Sequence, residues 1–184
     1  MLYTRRGDRG TTKTFGSNQR ISKSSAIAEA LGSLDEINSF LGLCKIKASQ
    51  NKKFKIGNSK IADVVHEIQQ TLFIIQAELA GADKKVAEKK VTDLENLIDE
   101  IEKILPPIKT FFISGGTELA AMFDVSRTIA RRAERRVVQV SEEGIHKIAP
   151  ETLKYLNRLS SILYALARLA NHLNGINEEP PSYK

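Results

Sequence analysis

Apolar residues recur every three to five positions along five long segments of the chain, which is the pattern of the buried face of an amphipathic helix. In the first segment the series runs through Ile27, Leu31 and Leu34. Because strand patterns are nearly absent, the predicted fold class is all-α, a five-helix bundle. The first helix is predicted to begin at Ser24 or Ser25 as its N-cap, and the others to cover about 59–81, 86–104, 117–142 and 150–173.

Glycine and proline mark the predicted helix ends. Gly81 and Gly144 are expected to stop the second and fourth helices, and Pro106 the third. Pro150 suits the first turn of the last helix, which is expected to close at Asn174-Gly175.

The remaining segments define one predicted domain over 1–176, with its helical bundle at 24–175. Residues 1–23 have no helical period and are expected to be irregular, with room for a short strand at 2–4. Residues 49–58 are predicted to be a polar connection, and 177–184 a flexible tail.

Composition excludes several classes of protein. The 184 residues are 41% hydrophobic, which is typical of a globular chain, and no stretch approaches the roughly 20 apolar residues of a membrane span. The N-terminus lacks the apolar core of a signal peptide, so we expect a cytoplasmic protein with no membrane partner. The only cysteine, Cys44, cannot form an internal disulfide and is expected to be a core residue.

The basic charge lies in two clusters. The net charge is +6, and basic residues concentrate in residues 1–24 and again in 127–136. Such a balance favours an anionic partner: a nucleic acid, an acidic lipid or a phosphorylated small molecule.

The second cluster forms a stripe on the fourth predicted helix. At about 100° per residue, Arg127, Arg131, Glu134 and Arg135 fall on one side of that helix, away from its apolar positions. Few acidic residues lie nearby, so the arginine stripe is either a polyanion site or a solvated, ion-paired surface. Arg136 points away from the stripe and is expected to be surface.

Residues 4–16 combine glycine, threonine and basic residues. Backbone N–H groups at glycine, threonine hydroxyls and positive charge together can bind phosphate. The spacing is not that of a Walker A motif. A flexible basic terminus is the alternative to a phosphate-binding segment.

Three further positions have open interpretations. Gly115-Gly116-Thr117 could bind an anion, but a turn with threonine as N-cap is favoured. Asp35 is either a solvated helix residue or the partner of an arginine on another helix or subunit. Asn157 shares a polar helix face with Ser161, Tyr164 and Arg168, which is either ordinary surface or a binding face.

A di-metal carboxylate site and a nucleophilic triad are both poorly supported. The metal site requires a Glu-x-x-His motif on each of two helices, and only Glu143 and His146 have that spacing, with Gly144 interrupting the helix. No nucleophile elbow occurs either.

Four motifs occur in an order and spacing that resemble a known enzyme family. They are Tyr3 to Thr12 with Phe15-Gly16, Arg20 and Ser22-Lys23; Gly32 to Ser39; Phe111 to Thr117 with Ser126 to Thr128 and Arg131 to Arg135; and Tyr155 to Ser160. Together they cover most of the chain and resemble the PduO-type ATP:cob(I)alamin adenosyltransferases, also called corrinoid adenosyltransferases. Ser114 and Asp124 depart from the family pattern, which often has proline and histidine there.

The resemblance implies a trimeric five-helix bundle, of the ferritin-like or cobalamin adenosyltransferase-like type, with active sites between subunits. The implied reaction transfers the 5′-deoxyadenosyl group of ATP to the cobalt of cob(I)alamin and releases triphosphate. Mg²⁺ would be bound through the ATP phosphates, with Glu134 as its one candidate protein ligand. A cob(II)alamin reductase and an adenosylcobalamin-dependent mutase are implied partners, and no nucleic acid.

The resemblance also implies roles for individual residues. ATP would be bound by Thr4, Arg5, Arg6, Gly7, Thr11, Thr12, Lys13 and Lys23 of one subunit and by Arg131, Arg132, Glu134, Arg135 and Asn157 of its neighbour. Asp35 and Arg127 would pair near the corrinoid, and Phe111 would help displace the lower ligand of cobalt. The catalytic residues would be Arg131, Glu134, Arg127 and Asp35.

Two other functions are compatible with the residues alone. The basic clusters could belong to an α-helical nucleic-acid-binding module, or the arginines could form ion pairs in a bundle whose role is oligomerisation. The enzyme interpretation needs no side-chain nucleophile, because cob(I)alamin is itself a strong nucleophile.

Overall fold

The computed structural model describes residues 3–15, 19–51 and 53–183. Its five helices confirm the predicted all-α bundle. They are α1 (Ala26–Ser49), α2 (Ile61–Leu79), α3 (Glu88–Ile104), α4 (Glu118–Glu142) and α5 (Pro150–His172). None of the described helices is long and apolar enough to cross a membrane.

Helix α4 lies between α1 and α5, and α5 has the largest number of buried residues of the five described helices. Helix α5 packs against α3 and α4, while α1 packs against α4 and α2. The core that results includes Leu34, Phe123 and Leu156, all fully buried, together with the predicted core residue Cys44. Burying an aliphatic or phenylalanine side chain contributes about 1.5–3 kcal/mol, so this shared core fixes the relative positions of α1, α4 and α5.

Two short antiparallel hairpins were not predicted. Strand β1 (Thr11–Lys13) pairs with β2 (Arg20–Ser22), and β3 (Lys55–Ile56) pairs with β4 (Ser59–Lys60) inside the predicted polar connection. The short strand predicted at 2–4 is wrong for Tyr3 and Thr4, which are not in a strand, and Leu2 lies outside the described residues. The N-terminal strand forms later instead, where β2 supplies a partner and the Lys23 N–H donates to the Gly10 carbonyl at 2.9 Å.

Helix ends follow the predicted residues with one exception. The Thr117 hydroxyl accepts a hydrogen bond from the Ala120 N–H at 3.2 Å, so threonine is the N-cap of α4. Gly81, Gly144 and Gly175 have positive φ just beyond α2, α4 and α5. Ser25 occupies the N-cap position of α1, but its hydroxyl donates to the Ser22 carbonyl at 2.7 Å and does not cap the helix.

The segment expected to be a flexible tail is attached to the bundle. The Glu178 carboxylate contacts Arg168 of α5, and the Glu179 carbonyl accepts a hydrogen bond from the Ile113 N–H at 2.8 Å. These contacts join the residues after α5 to the connection between α3 and α4.

Candidate active site

The five arginines of α4 have different surroundings. Arg132 forms an ion pair with Glu36 of α1, and Arg136 donates to Gln139 at 3.2 Å. Arg131 and Arg135 are exposed and have no hydrogen-bond or ion-pair partner within the described parts of the chain. Two unpaired guanidiniums one helical turn apart can therefore bind an anion without first breaking an internal contact.

Glu134 and Asn157 connect α4 to α5 beside these arginines. The Asn157 Nδ2 donates to Glu134 Oε1 at 3.0 Å. Both residues line a cavity of about 440 Å³ together with Arg131 and Arg135. Glu134 is predicted to bind ATP and to be a candidate ligand of Mg²⁺; in the structure its hydrogen-bond partner is Asn157.

A second cavity adjoins the first. It has a volume of about 550 Å³ and is lined by residues 108–111 and by Arg127, Arg131 and Tyr164. The Phe111 ring is 78% exposed and faces this space. The first cavity, which Arg131 and Arg135 line, is called the cationic cavity, and the second is the larger and more apolar one. Arg131 lines both, so it lies where the two cavities meet.

Within one chain, Arg127 contacts Asp124 and Tyr164. Its Nε donates to Asp124 Oδ1 at 3.4 Å, and its guanidinium lies 5.8 Å from the centre of the Tyr164 ring. Asp35 is exposed and makes no ion pair with Arg127 within the described residues, so the expected pair is not formed in one chain. The reason is geometric, because Asp124 lies one turn before Arg127 on α4, whereas Asp35 points to solvent from α1.

The N-terminal segment is an ordered loop held by Arg20. The Arg20 side chain donates to the Thr11 hydroxyl at 2.8 Å, to the Thr11 carbonyl at 2.7 Å and to the Arg6 carbonyl. Arg5 has φ of 57°, the left-handed region that costs non-glycine residues free energy. The role of Arg20 depends on the β1–β2 pairing, so the motif that contains Arg20 did not predict it.

Lys23 lies against Gly7. A Cβ atom built on Gly7 would be 3.1 Å from Lys23 Nζ, so glycine leaves room for the ammonium group. The other predicted ATP-binding residues of this segment lie on the same short loop and hairpin. Thr11 and Thr12 are half-buried. The remaining ones are exposed: Thr4, Arg5, Arg6 and Lys13.

One chain does not join the two predicted halves of the ATP site. No hydrogen bond or ion pair connects residues 3–15 or 20–23 to α4 in the described structure, and neither cavity is lined by the N-terminal segment. A single chain therefore presents a cationic loop and a separate cationic cavity.

The described residues contain no group of three or more histidine, cysteine, aspartate or glutamate side chains that could hold a metal ion. The cavity carboxylates are Glu134 and Glu142. Such a site can assist a cation that is mainly bound by phosphate oxygens, as Mg²⁺ usually is in nucleotide sites.

The all-helical fold with its cationic cavity is accompanied by similarity to one family of proteins. The sequence profile of the cobalamin adenosyltransferase family matches residues 2–170. The chain belongs to this family, which confirms the resemblance found in its motifs.

Individual relatives agree with this assignment. The corrinoid adenosyltransferase of Bacillus subtilis is 38% identical over 182 residues, a match that covers 96% of this chain and 90% of the relative. The corrinoid adenosyltransferase PduO of Citrobacter freundii is 38% identical over 178 residues, 93% of this chain. The chain spans about half the length of that PduO protein, of which 50% is covered.

Solved structures extend the similarity to three dimensions. A variant of the PduO-type ATP:corrinoid adenosyltransferase of Lactobacillus reuteri, complexed with cobalamin and ATP, is 34% identical and superposes with a TM-score of 0.88 over 98% of this chain and 99% of its own. Another variant of that enzyme, complexed with ATP, is 33% identical with a TM-score of 0.87 over 98% and 100% of the two chains.

Proposed function

We propose that the chain transfers the 5′-deoxyadenosyl group of ATP to the cobalt of cob(I)alamin, at sites that two subunits of a homotrimer complete. The observation that carries this proposal is the position of Arg131 between the two cavities. A group transferred from a triphosphate to a corrinoid must pass such a boundary, with the anion on one side and the large, mostly apolar ring on the other.

The reaction itself requires little covalent chemistry from the protein. The electron pair of cob(I)alamin attacks the ribose C5′ atom, a cobalt–carbon bond forms, and the bond from C5′ to the triphosphate oxygen breaks. Cobalt is formally oxidised from +1 to +3, and the electron pair of the broken bond leaves on triphosphate. The chain has to align C5′ with cobalt and stabilise the leaving charge.

The cationic cavity suits the triphosphate. Arg131 and Arg135 are free to form charge-assisted hydrogen bonds with phosphate oxygens. Lys23 and the hydroxyls of Thr11 and Thr12, from the neighbouring subunit, would close the other side. Arg132 would join only by exchanging Glu36 for phosphate.

Mg²⁺ would be held chiefly by phosphate oxygens, with Glu134 as the nearest protein candidate. It would neutralise part of the charge that develops on the leaving group. The hydrogen bond from Asn157 keeps the Glu134 carboxylate on the cavity wall.

The larger cavity suits the corrinoid. The exposed Phe111 ring would cover one face of the macrocycle and exclude water and a lower ligand from cobalt. Asp35 of the partner subunit would approach Arg127 here, where it would compete with Asp124. This reaction requires a reductase that supplies cob(I)alamin. An adenosylcobalamin-dependent mutase would accept the product.

The deciding experiment mixes the protein with ATP, Mg²⁺ and chemically reduced cobalamin and follows the absorption spectrum. We expect a light-sensitive alkyl-cobalt product and free triphosphate. Folded, oligomeric protein that forms no product would contradict the proposal. Steep, salt-sensitive binding of many nucleic-acid phosphates would instead support a nucleic-acid-binding module.

A further inference from the structure

Arg168 is a buried arginine in a region where sequence reasoning allowed ordinary surface. Its side chain on α5 is only 5% exposed. The Nε atom donates to both carboxylate oxygens of Glu178 at 2.9 Å, and Nη2 donates to Glu178 Oε2 at 2.8 Å and to the Pro106 carbonyl at 3.0 Å. The guanidinium also lies 5.3 Å from the centre of the Phe112 ring.

One turn later, Asn171 holds the far end of the same connection. Its Nδ2 donates to the Gly115 carbonyl and its Oδ1 accepts from the Thr117 N–H, both at 2.9 Å. Between these anchors, the Ile113 N–H donates to the Glu179 carbonyl. The connection from α3 to α4 is thus fixed by the end of α5 and by the residues that follow it.

A buried arginine is costly unless its charge is paired, and it stabilises little compared with an apolar side chain of similar size. Packing alone therefore does not explain why three partners, Glu178, Pro106 and Phe112, converge on Arg168. The connection that it holds carries Phe111, which lines the larger cavity beside Arg127 and Arg131. Tyr164, one turn before Arg168 on α5, lines the same cavity.

We propose that the Arg168–Glu178 ion pair is a positioning device for the corrinoid side of the site. It fixes residues 106–113 so that the Phe111 ring stands over the larger cavity. Arg168 and Glu178 are positioning residues, because neither lines that cavity. The proposal rests on the adenosyltransferase function and assigns the residues after α5 a role in corrinoid binding.

The test compares the full-length Glu178→Ala and Glu179→Ala variants. Both remove an acidic side chain from the same segment, but the Glu179 side chain makes no hydrogen bond or ion pair in the described structure, and its carbonyl contact survives the substitution. Glu178→Ala is expected to raise the KM for corrinoid roughly tenfold, since a displacement of about 1 Å at a reacting centre can cost even more. The KM for ATP should stay within about twofold, because the described structure has no hydrogen bond or ion pair between the residues of the cationic cavity and residues 106–113.

Two further measurements separate positioning from general destabilisation. When cob(II)alamin binds to Glu178→Ala, a smaller fraction of it than in the wild type should have the absorption spectrum of cobalt without a lower ligand. Amide hydrogens of residues 106–116 should exchange faster with deuterium in this variant, while those of α2 and α4 should not. Glu179→Ala should match the wild type in both measurements.

The outcomes are distinct. Unchanged corrinoid KM and unchanged exchange in Glu178→Ala would overturn the positioning role, as would a parallel rise of both KM values with loss of the oligomer. Glu178→Gln, which keeps one acceptor for Arg168, should lie between the wild type and Glu178→Ala. A wild-type chain without turnover would refute the adenosyltransferase function instead, and the exchange data would still test the ion pair.

Discussion

At the scale of single residues, the arginines of α4 differ in their contacts, although all belong to one basic cluster of the sequence. Arg132 is paired with Glu36 and Arg127 with Asp124, whereas Arg131 lies between two cavities and has no ion-pair or hydrogen-bond partner among the described residues. In the proposed reaction, a cation in that position would stabilise charge that appears only as triphosphate leaves, which would lower the barrier without tightening substrate binding equally.

Arg131→Ala is accordingly expected to lower kcat by about 100-fold or more, the range seen when a donor to a developing anion is removed. Arg136→Ala is the matched control, since Arg136 lies on the same helix, lines neither cavity, and donates a hydrogen bond to Gln139. Steady-state kinetics and far-ultraviolet circular dichroism of both variants provide the measurement. Near-normal turnover by a folded Arg131→Ala protein would show that the stripe is structural.

Which arginines are unpaired could not be predicted from the sequence. The partner of Arg132 lies 96 positions away on α1, and the partner of Arg168 lies beyond α5 in a segment without periodicity. The sequence places Asp124 one helical turn from Arg127. That Arg127 contacts Asp124 and not Asp35 within one chain depends on the orientation of α1, which exposes Asp35 to solvent. The motifs located the candidate residues, and the packing of the helices decided their contacts.

At the scale of the elements, the start of α4 depends on a tight contact at Gly116. This glycine has φ of +93°, and a Cβ built on it would lie 2.8 Å from the Cγ atom of Asn171. Any side chain there would disturb the hydrogen bonds that Asn171 makes to Gly115 and Thr117.

Gly116→Ala should therefore reduce the free energy of unfolding by about 1–3 kcal/mol, the usual cost of a strained backbone conformation. Gly42→Ala, inside α1, should increase it by about 0.4–1 kcal/mol, because its Cβ would lie 3.8 Å from the nearest neighbouring atom. Urea unfolding of the two variants at equal protein concentration tests the opposite signs. Equal effects in the same direction would refute this account.

Tyr155 links α5 to the pH dependence of stability. Its side chain is 2% exposed, and burial raises its pKa to about 12, although a hydrogen bond with Thr71 lowers it in part. Above the ordinary pKa of about 10 the unfolded chain loses this proton first. The folded state then binds more protons, so stability falls as pH rises from about 10 to 12.

Tyr155→Phe removes this titration. Between pH 10 and 11, the wild type should lose about 1 kcal/mol more stability than the variant, less than the value of about 1.4 kcal/mol for one full proton because unfolded Tyr155 is only partly ionised at pH 10. Urea unfolding of both proteins at several alkaline pH values measures the difference. Parallel pH profiles would mean that the Tyr155 hydroxyl ionises equally easily in the two states.

The five helices could be predicted because each repeats its apolar spacing over several turns. The hairpin strands could not, since β1 and β2 have three residues each and are too short to show alternation. The missing cap at Ser25 could not be predicted either. Serine suits an N-cap, but the Ser25 hydroxyl donates to the Ser22 carbonyl.

At the scale of the whole molecule, each chain presents two incomplete halves of one proposed ATP site. The N-terminal loop with Lys23 and the α4 cavity with Arg131 have no hydrogen bond between them in the described structure. If they meet across a subunit interface, defects in different halves can compensate for each other in a mixed oligomer.

Mixed oligomers of Lys23→Ala and Arg131→Ala chains are therefore expected to regain about a quarter of the wild-type sites, from random pairing of subunits. Arg131→Ala mixed with Arg135→Ala is the control and should regain none, because both defects lie in the same half. Turnover of co-refolded mixtures, with subunit exchange verified by mass spectrometry, gives the readout. Verified mixed oligomers without recovered activity would indicate a site within one chain.

The packing of α3 and α4 against α5 also has a consequence for how the bundle forms during synthesis. The ribosome makes α1 to α4 first, yet α3 and α4 both bury apolar residues against α5, the last helix of the bundle to emerge. Until residues 150–172 appear, the nascent chain exposes those surfaces and is prone to aggregation. We therefore expect nascent chains that stop before Pro150 to depend on molecular chaperones, and completed chains to be released from them once α5 docks.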